Sequence, residues 1–163
     1  MKGNKPTIAL VPGSFDPMTL GHLDIVRKAL AEFDEVIVAV MVNRGKKTVF
    51  SMEQRVRIAE ASVSDLGRVR VISDEGLLVD LYRKIGADAV CKGYRNETDL
   101  AYEQTQDEWN RAHNPDFRTV LYRADKQHAD LSSTEVRRRL ELGEAVDDLV
   151  APNARTLLKQ YRP

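Results

Sequence analysis

The chain has 163 residues and balances 25 Lys and Arg residues against 25 Asp and Glu residues, which gives a formal net charge of zero. This length suits one domain with a normal core, and the balanced charge argues against a dedicated nucleic-acid binder, which would carry a basic excess. The single cysteine, Cys91, rules out an internal disulfide framework and a cysteine-based zinc site. No apolar run approaches the roughly 18 residues that span a bilayer, and residues 1–6 are polar, so we expect a cytoplasmic protein.

Strand-like and helix-like segments alternate along the chain. Near-continuous apolar runs are typical of strands buried on both faces of a parallel sheet. The predicted strands are 7–11, 35–42, 69–72, 89–92 and 119–122. The predicted helices begin near His22 and then span 51–64, 77–85, 99–113 and 132–143, with short helical pieces up to Tyr161. This order predicts a Rossmann-like α/β fold, a doubly wound parallel five-stranded sheet with helices on both faces, in one domain over residues 1–163.

Helix boundaries are indicated by local signals. Ser51 and Gln54 have the spacing of a capping box, and Ser132 and Glu135 repeat it later in the chain. Gly86 suits the position just after a helix, and Pro115 disfavours helical geometry at the residue before it.

Four loops follow the carboxyl ends of predicted strands, where parallel sheets place their functional groups. They are residues 13–22, 43–47, 93–95 and 125–134, and three of them bring cationic or hydroxyl groups to one edge of the sheet. Because several loops converge there, we expect the functional site at this edge.

The first of these loops reads Gly-Ser-Phe-Asp-Pro-Met-Thr-Leu-Gly-His over residues 13–22. A loop between a first strand and a helix is where α/β proteins bind phosphate, since backbone amides and the helix dipole both favour an anion. His22 would face that phosphate, either protonated or donating through one ring nitrogen, and could stabilise charge on a phosphoryl oxygen. The alternative is an ordinary cap or surface histidine.

Basic residues on two other loops are candidates for phosphate binding. Lys46 follows the second strand and could clamp a phosphate, whereas its neighbour Lys47 is expected to be exposed. Lys92 and Arg95 flank the loop after the fourth strand, and Arg95 is the stronger candidate because a guanidinium can grip phosphate with two bonds. A solvated loop is the alternative for the lysines.

Hydroxyl and acidic groups complete the candidate set. Ser132, Ser133 and Thr134 could cradle a phosphate at a helix N-terminus or could simply cap that helix. The arginines at 137–139 are expected to be mostly solvated, with one facing a contact between subunits. Glu103 is either an acceptor for ribose hydroxyls or a surface carboxylate.

Several catalytic signatures are missing from the sequence. There is no Gly-x-Gly-x-x-Gly loop after the first strand, no Walker A loop and no serine in a nucleophile elbow. The histidines also lack metalloprotease spacing. Nothing in the chain therefore indicates covalent catalysis.

Together these motifs resemble the nucleotidylyltransferase superfamily and, within it, the phosphopantetheine adenylyltransferase family. Thr-Leu-Gly-His at 19–22 is similar to the superfamily's signature loop, with threonine in the first position. Residues 46–56, Lys-Lys-Thr-Val-Phe-Ser-Met-Glu-Gln-Arg-Val, resemble a Lys-Lys-Pro-x-Phe-x-x-Glu-Glu-Arg-Val segment of the family. The similarity runs from about residue 8 to residue 158 and is strongest in the first 60 residues.

The resemblance implies transfer of AMP from ATP to 4′-phosphopantetheine, with Mg²⁺ on the nucleotide, and assembly as a homohexamer without nucleic-acid or membrane partners. By the same resemblance, His22 would stabilise the transition state, with Lys46 as its catalytic partner. Substrate contacts would come from Ser14, Lys46, Leu78 and Lys92. ATP contacts would come from Ser14, Phe15, His22, Gly93, Tyr94, Arg95, Glu103, His128, Ser132, Ser133 and Thr134.

Departures from the family pattern leave the acceptor open. Lys92 stands where the family usually has arginine, Leu20 where asparagine is common and Val11 where tyrosine is common. The segment 125–130 lacks the usual aromatic residue, with His128 near that place, and the helix after Glu103 is unusually polar. A nicotinate or nicotinamide mononucleotide adenylyltransferase, or a nucleotide-binding regulatory module without turnover, therefore remains as an alternative.

Overall fold

The chain alternates strands and helices in a computed structural model that describes residues 5–128 and 131–161. The strands are β1 (Ile8–Gly13), β2 (Glu35–Met41), β3 (Val69–Asp74), β4 (Ala89–Tyr94) and β5 (Thr119–Arg123). The helices are α1 (Leu20–Glu32), α2 (Met52–Val63), α3 (Leu78–Ile85), α4 (Glu97–His113), α5 (Ser133–Glu141) and α6 (Arg155–Gln160). Short 3₁₀ turns lie at Lys126–His128 and Pro152–Ala154.

The five strands form one parallel sheet in the order β3-β2-β1-β4-β5, which confirms the predicted doubly wound fold. β1 pairs with β2 from Ile8 to Gly13, but with β4 only at Ala9 and Leu10. β1 and β4 therefore separate towards their carboxyl ends. The strand order reverses between these two strands, and a crevice at such a point is where α/β sheets bind ligands.

Both faces of the central strands β1, β2 and β4 are buried, which explains their near-continuous apolar runs in the sequence. On one face Val11 and Val38 pack with residues of α1, and on the other Leu10 and Ile37 pack with residues of α3. A separate cluster around Phe50 joins α2 to α5 and to the C-terminal helix, and so fixes the position of α5 beside the sheet edge.

The predicted helix boundaries are largely confirmed. The Ser51 and Gln54 side chains form both bonds of a capping box, and Gly86 ends α3 with a φ of 69°. The second capping box is only half formed. The Ser132 hydroxyl accepts from the Glu135 amide, but the Glu135 carboxylate bonds Arg138 and Arg139 instead of reaching back to the cap. Two guanidinium groups three and four residues away make stronger, charge-assisted bonds than a backbone amide.

Among the described residues, no helix is long and apolar enough to cross a membrane.

Candidate active site

A cavity of about 520 Å³ opens at the carboxyl-terminal edge of the sheet, where β1 and β4 separate. Most of the predicted site residues line it. They are His22, Lys46, Gly93, Tyr94, Arg95, Glu103, His128, Ser132, Ser133 and Thr134. The structure therefore brings together residues from four separate loops, as the sequence predicted.

A smaller cavity of about 180 Å³ adjoins the larger one. Two more predicted residues, Phe15 and Lys92, line it. His22 and Gly93 line both cavities, and so does Ile25. His22 thus lies where the two cavities meet, and a group bound in either one can reach it.

Two predicted substrate contacts lie outside both cavities. Ser14 is half-buried, and its carbonyl oxygen accepts a hydrogen bond from Arg55 at 2.8 Å. Leu78 begins α3 and packs against the apolar cluster on that face of the sheet. Their roles as substrate contacts stay predictions.

Other residues line the larger cavity although the sequence reasoning did not single them out. Ile25 lies one helical turn after His22 and Asp99 one turn before Glu103, so helical spacing could have indicated these two. Tyr102 directly precedes Glu103 and so lacks this spacing. Ala124 and Leu131 also line the cavity, and no motif in the sequence marks them.

The His22 ring is held in one orientation by the residue that caps its own helix. The Thr19 amide donates to His22 Nδ1 at 3.0 Å, and the Thr19 hydroxyl accepts from the His22 amide in the reciprocal bond of a capping box. Phe15 packs against the ring edge to face, with centroids 5.0 Å apart and an angle of 86°. Because Nδ1 accepts a hydrogen bond from an amide, the ring proton of the neutral form lies on Nε2.

Burial is the main reason why the pKa of His22 falls from 6.5 to about 4, and the positive charges of Arg95 and Lys46 lower it further. The side chain is therefore neutral at pH 7. Of the two forms that the sequence allowed, this selects the neutral donor, which offers Nε2–H to a ligand.

The low pKa of His22 predicts how the free energy of unfolding depends on pH. In the unfolded chain His22 titrates at its ordinary pKa of 6.5, so between pH 6.5 and about 4 the unfolded state binds more protons than the folded state. The free energy of unfolding therefore decreases as the pH is lowered through this range. We expect a loss of about 2 to 3 kcal/mol from this residue between pH 7.5 and 4.5. The measurement is urea unfolding of the wild type and of His22→Asn at both pH values. The wild type should lose more stability than the variant, and equal losses would contradict the assignment.

The basic side chains at the rim differ in how they are held. Lys46 is exposed on the loop after β2 and lines the larger cavity, whereas Lys47, also exposed, is not among the lining residues. Arg95 donates to the Asp99 carboxylate from its backbone amide at 3.1 Å and from Nε at 3.4 Å. The cavity rim therefore combines the ammonium of an exposed lysine with a guanidinium that is held by Asp99.

The hydroxyl groups at the start of α5 all make contacts within the protein. Ser132 accepts from the Glu135 amide at 3.1 Å, and Ser133 donates to the Pro17 carbonyl at 2.7 Å. Thr134 accepts from Arg137 at 3.1 Å. Ser132 is thus a helix cap, as one alternative held. Within the described part of the chain the hydroxyls of Ser132 and Thr134 act only as acceptors, and the first amides of a helix have no partner within it.

Arg137 corrects the expectation that residues 137–139 are mostly solvated. Its guanidinium donates to the Asp16 carbonyl at 2.8 Å, and only 20% of its side chain is exposed. Arg138 and Arg139 pair with Glu135. The reason is that α5 packs beside the first loop, so Arg137 joins two segments that bear predicted site residues.

Lys92 and Glu103 form an ion pair, with Nζ and Oε2 2.6 Å apart. Only 12% of the Glu103 side chain is exposed, so the alternative of a surface carboxylate is wrong for this residue. The pair connects β4 to α4 at the wall between the two cavities.

His128 lies at the rim of the larger cavity, next to a charged cluster. Its Nδ1 is 3.8 Å from Asp24 and 4.0 Å from Asp125. The Lys28 ammonium lies 3.0 Å from each of these two carboxylates and so supplies their counter-charge. Positions 129 and 130 of the loop 125–134, which follow His128, lie outside the described residues.

The fold and the site define a nucleotidyltransferase, and comparison with known families agrees. Residues 10–139 match the model of the cytidylyltransferase-like family, so the chain belongs to this family. The chain is also 39% identical over 153 residues to a phosphopantetheine adenylyltransferase of Limosilactobacillus reuteri (strain DSM 20016), covering 94% of this chain and 88% of the relative. It is 40% identical over 155 residues to the phosphopantetheine adenylyltransferase of Moorella thermoacetica, covering 94% of this chain and 97% of the relative. The chain is 42% identical over 146 residues to the phosphopantetheine adenylyltransferase of Heliobacterium modesticaldum, covering 90% of this chain and 87% of the relative. The chain thus belongs to the phosphopantetheine adenylyltransferase family.

Proposed function

We propose that the chain transfers AMP from ATP to the phosphate of 4′-phosphopantetheine, giving dephospho-coenzyme A and pyrophosphate. The observation that carries this proposal is the position of the neutral His22 ring, whose Nδ1 is capped by Thr19 and which lines two adjoining cavities. The larger cavity suits a nucleotide, and the smaller cavity suits the phosphate of an acceptor. Family membership supports the choice of substrates.

The nucleotide occupies the larger cavity in this proposal. The N-terminus of α5, with the hydroxyls of Ser132 and Thr134, binds the outer phosphates, since a helix N-terminus favours anions. Arg95 contributes a guanidinium, and Gly93, near the end of β4, lines the same cavity. Glu103 accepts hydrogen bonds from the ribose hydroxyls.

The acceptor phosphate enters through the smaller cavity. Lys92 lines that cavity and Lys46 lines the adjoining larger one, so both ammonium groups are available to a phosphate placed between the cavities. We assign Ser14, beside Phe15 in the first loop, to this phosphate as well, and Leu78 to the pantetheine arm. These assignments follow the family resemblance.

The proposed reaction is a direct displacement. An oxygen of the acceptor phosphate attacks the α-phosphorus of ATP, the new P–O bond forms, and the bond to the bridging oxygen breaks as pyrophosphate leaves. His22 donates from Nε2 to a non-bridging oxygen of the α-phosphoryl group, where negative charge is redistributed in the transition state. The remaining residues position the two substrates, which is the main contribution that a protein makes to phosphoryl transfer.

Mg²⁺ bound to the nucleotide is part of the proposal. Among the described residues, the carboxylates that line the larger cavity are Asp99 and Glu103, and each pairs with a basic side chain. This donor set fits a cation that is coordinated mainly by the phosphates of the nucleotide, with hydroxyls of the α5 N-terminus nearby. Such a cation would neutralise charge on the departing pyrophosphate.

We also propose a cytoplasmic homohexamer, and the family resemblance supports this proposal. Sedimentation equilibrium measures the assembly directly. A mass near six times the 18.4 kDa of one chain would support it, and a concentration-independent monomer would contradict it.

The test of the activity is pyrophosphate release from Mg·ATP. Parallel reactions contain 4′-phosphopantetheine, nicotinate mononucleotide or no acceptor. Release only with 4′-phosphopantetheine is the expected result. Release only with the mononucleotide would keep the chemistry and replace the acceptor, and no release while ATP still binds would favour a regulatory module.

A further inference from the structure

The two cavities are connected by a charged pair as well as by His22. Lys92, near the carboxyl end of β4, lines the smaller cavity, and Glu103, on α4, lines the larger one. Their charged atoms, Nζ and Oε2, lie 2.6 Å apart. One end of the ion pair therefore faces each proposed substrate site.

This pair is well shielded from water, with 25% of the Lys92 side chain and 12% of the Glu103 side chain exposed. Within residues 5–128 and 131–161, Glu103 Oε2 is buried and accepts no hydrogen bond of good geometry. The neighbouring ammonium is thus the group that compensates its charge. A shielded carboxylate without a partner is unfavourable, so separating the pair requires new partners for both groups.

We propose that the Lys92–Glu103 ion pair couples the two substrate sites, so that each substrate binds more tightly when the other is present. This inference rests on the proposed function, because that function puts the acceptor phosphate beside Lys92 and the ribose beside Glu103. The phosphate draws the ammonium towards the smaller cavity, and the ribose hydroxyls donate to the carboxylate from the larger one. The first ligand to bind separates the pair, and the second ligand finds its partner already available.

The coupling has an expected size and symmetry. Couplings between two sites in one protein commonly change affinity by about 5- to 150-fold. One ion pair at the edge of open cavities belongs at the low end, so we expect about 5- to 10-fold. Thermodynamic linkage requires the same factor in both directions, so the nucleotide must gain as much from the acceptor as the acceptor gains from the nucleotide.

Calorimetric titration of the full chain measures this factor. 4′-Phosphopantetheine is titrated with and without saturating α,β-methylene ATP, which cannot transfer AMP because its α–β bridge is not cleaved. The ratio of the two dissociation constants is the coupling factor. We expect about 5 to 10 for the wild type and close to 1 for Glu103→Gln. The Glu103→Gln variant keeps a carbonyl for the ribose hydroxyls but no longer holds Lys92, so the acceptor alone should bind it more tightly than it binds the wild type.

Asp99→Asn is the matched control. Asp99 lies on the same helix, one turn before Glu103, and lines the same cavity, but it pairs with Arg95. Its replacement removes the same charge and leaves the Lys92–Glu103 pair in place, so the coupling factor should stay at the wild-type value. A fall equal to that in Glu103→Gln would trace the effect to general charge and overturn the inference.

The remaining outcomes separate this inference from the proposed function. Lys92→Met opens the pair from the other side and should also bring the factor close to 1, together with weaker acceptor binding. If the wild type binds 4′-phosphopantetheine equally well with and without the nucleotide analogue, the coupling is wrong and the proposed function stands. If the wild type does not bind 4′-phosphopantetheine in either titration, both are wrong.

Discussion

Replacement of His22 by Ala is expected to lower turnover about 100-fold while leaving the affinity for ATP nearly unchanged. The reason is that Nε2–H is one preorganised donor, and its bond to the α-phosphoryl oxygen strengthens as charge is redistributed there in the transition state. Removing one such donor typically lowers turnover by two to three orders of magnitude. Single-turnover rates give the chemical step, and titration with ATP gives the affinity.

His22→Asn separates this chemical role from the structural one. The ring also accepts from the Thr19 amide through Nδ1, so His22→Ala removes a cap contact together with the donor. The Asn side chain can place its carbonyl oxygen near the Nδ1 position but cannot reach the position of Nε2. We expect it to lose as much turnover as the Ala variant and to be more stable. A variant that binds ATP more weakly by the same factor and retains wild-type turnover would show that His22 only binds the nucleotide.

Much of the fold follows from patterns that are local in the sequence. A strand such as β2 is a continuous apolar run because both faces of the sheet are covered, and Val38 and Ile37 indeed pack into opposite clusters. The capping box at Ser51 is read from two residues three positions apart. The carboxyl ends of parallel strands must share an edge, so the convergence of the functional loops could also be predicted.

The contacts that arrange the site could not be predicted in this way. Arg137 reaches the Asp16 carbonyl across 121 residues, and Lys92 pairs with Glu103 from another element. The charges of Arg137 and Lys92 could equally well be solvated by water. The sequence alone therefore does not show whether such a side chain is solvated or paired within the protein. The backbone of Phe15 adopts a φ of 47°, which a bulky residue disfavours and only the surrounding packing can enforce.

The polar helix α4 is another element whose orientation could not be predicted from the sequence. Its half-buried positions include Asp99, Glu103 and Asp107, while Tyr102 and Trp109 are exposed, 61% and 45% respectively. An apolar stripe would have predicted which face is turned inward. Here the inward face carries the carboxylates that pair with Lys92 and Arg95 beside the cavity, so no apolar stripe marks it in the sequence.

The largest expected loss of stability comes from replacing Asp16 by Ala. Only 1% of Asp16 is exposed, and its two carboxylate oxygens accept from the amides of Val49 and Phe50, each at 2.9 Å. These bonds tie the first loop, which leads to His22, to the segment after Lys46. The Arg137 guanidinium also lies 3.8 Å from the carboxylate, and the negative charge of Asp16 acts on Arg55.

Asp16→Ala therefore leaves the buried Phe50 amide and the part-buried Val49 amide without acceptors, and two nearby guanidinium groups without their counter-charge. We expect the free energy of unfolding to fall by about 3 to 5 kcal/mol, measured by urea denaturation. Asp34→Ala is the control, because Asp34 also accepts from a backbone amide and a hydroxyl, both of Thr7, but at an exposed position at the opposite end of the sheet. Water replaces those bonds, so its loss should be much smaller. Equal losses in the two variants would mean that Asp16 contributes no more than an exposed cap. A stable Asp16→Ala variant with weakened acceptor binding would instead show that the bonds only position Lys46.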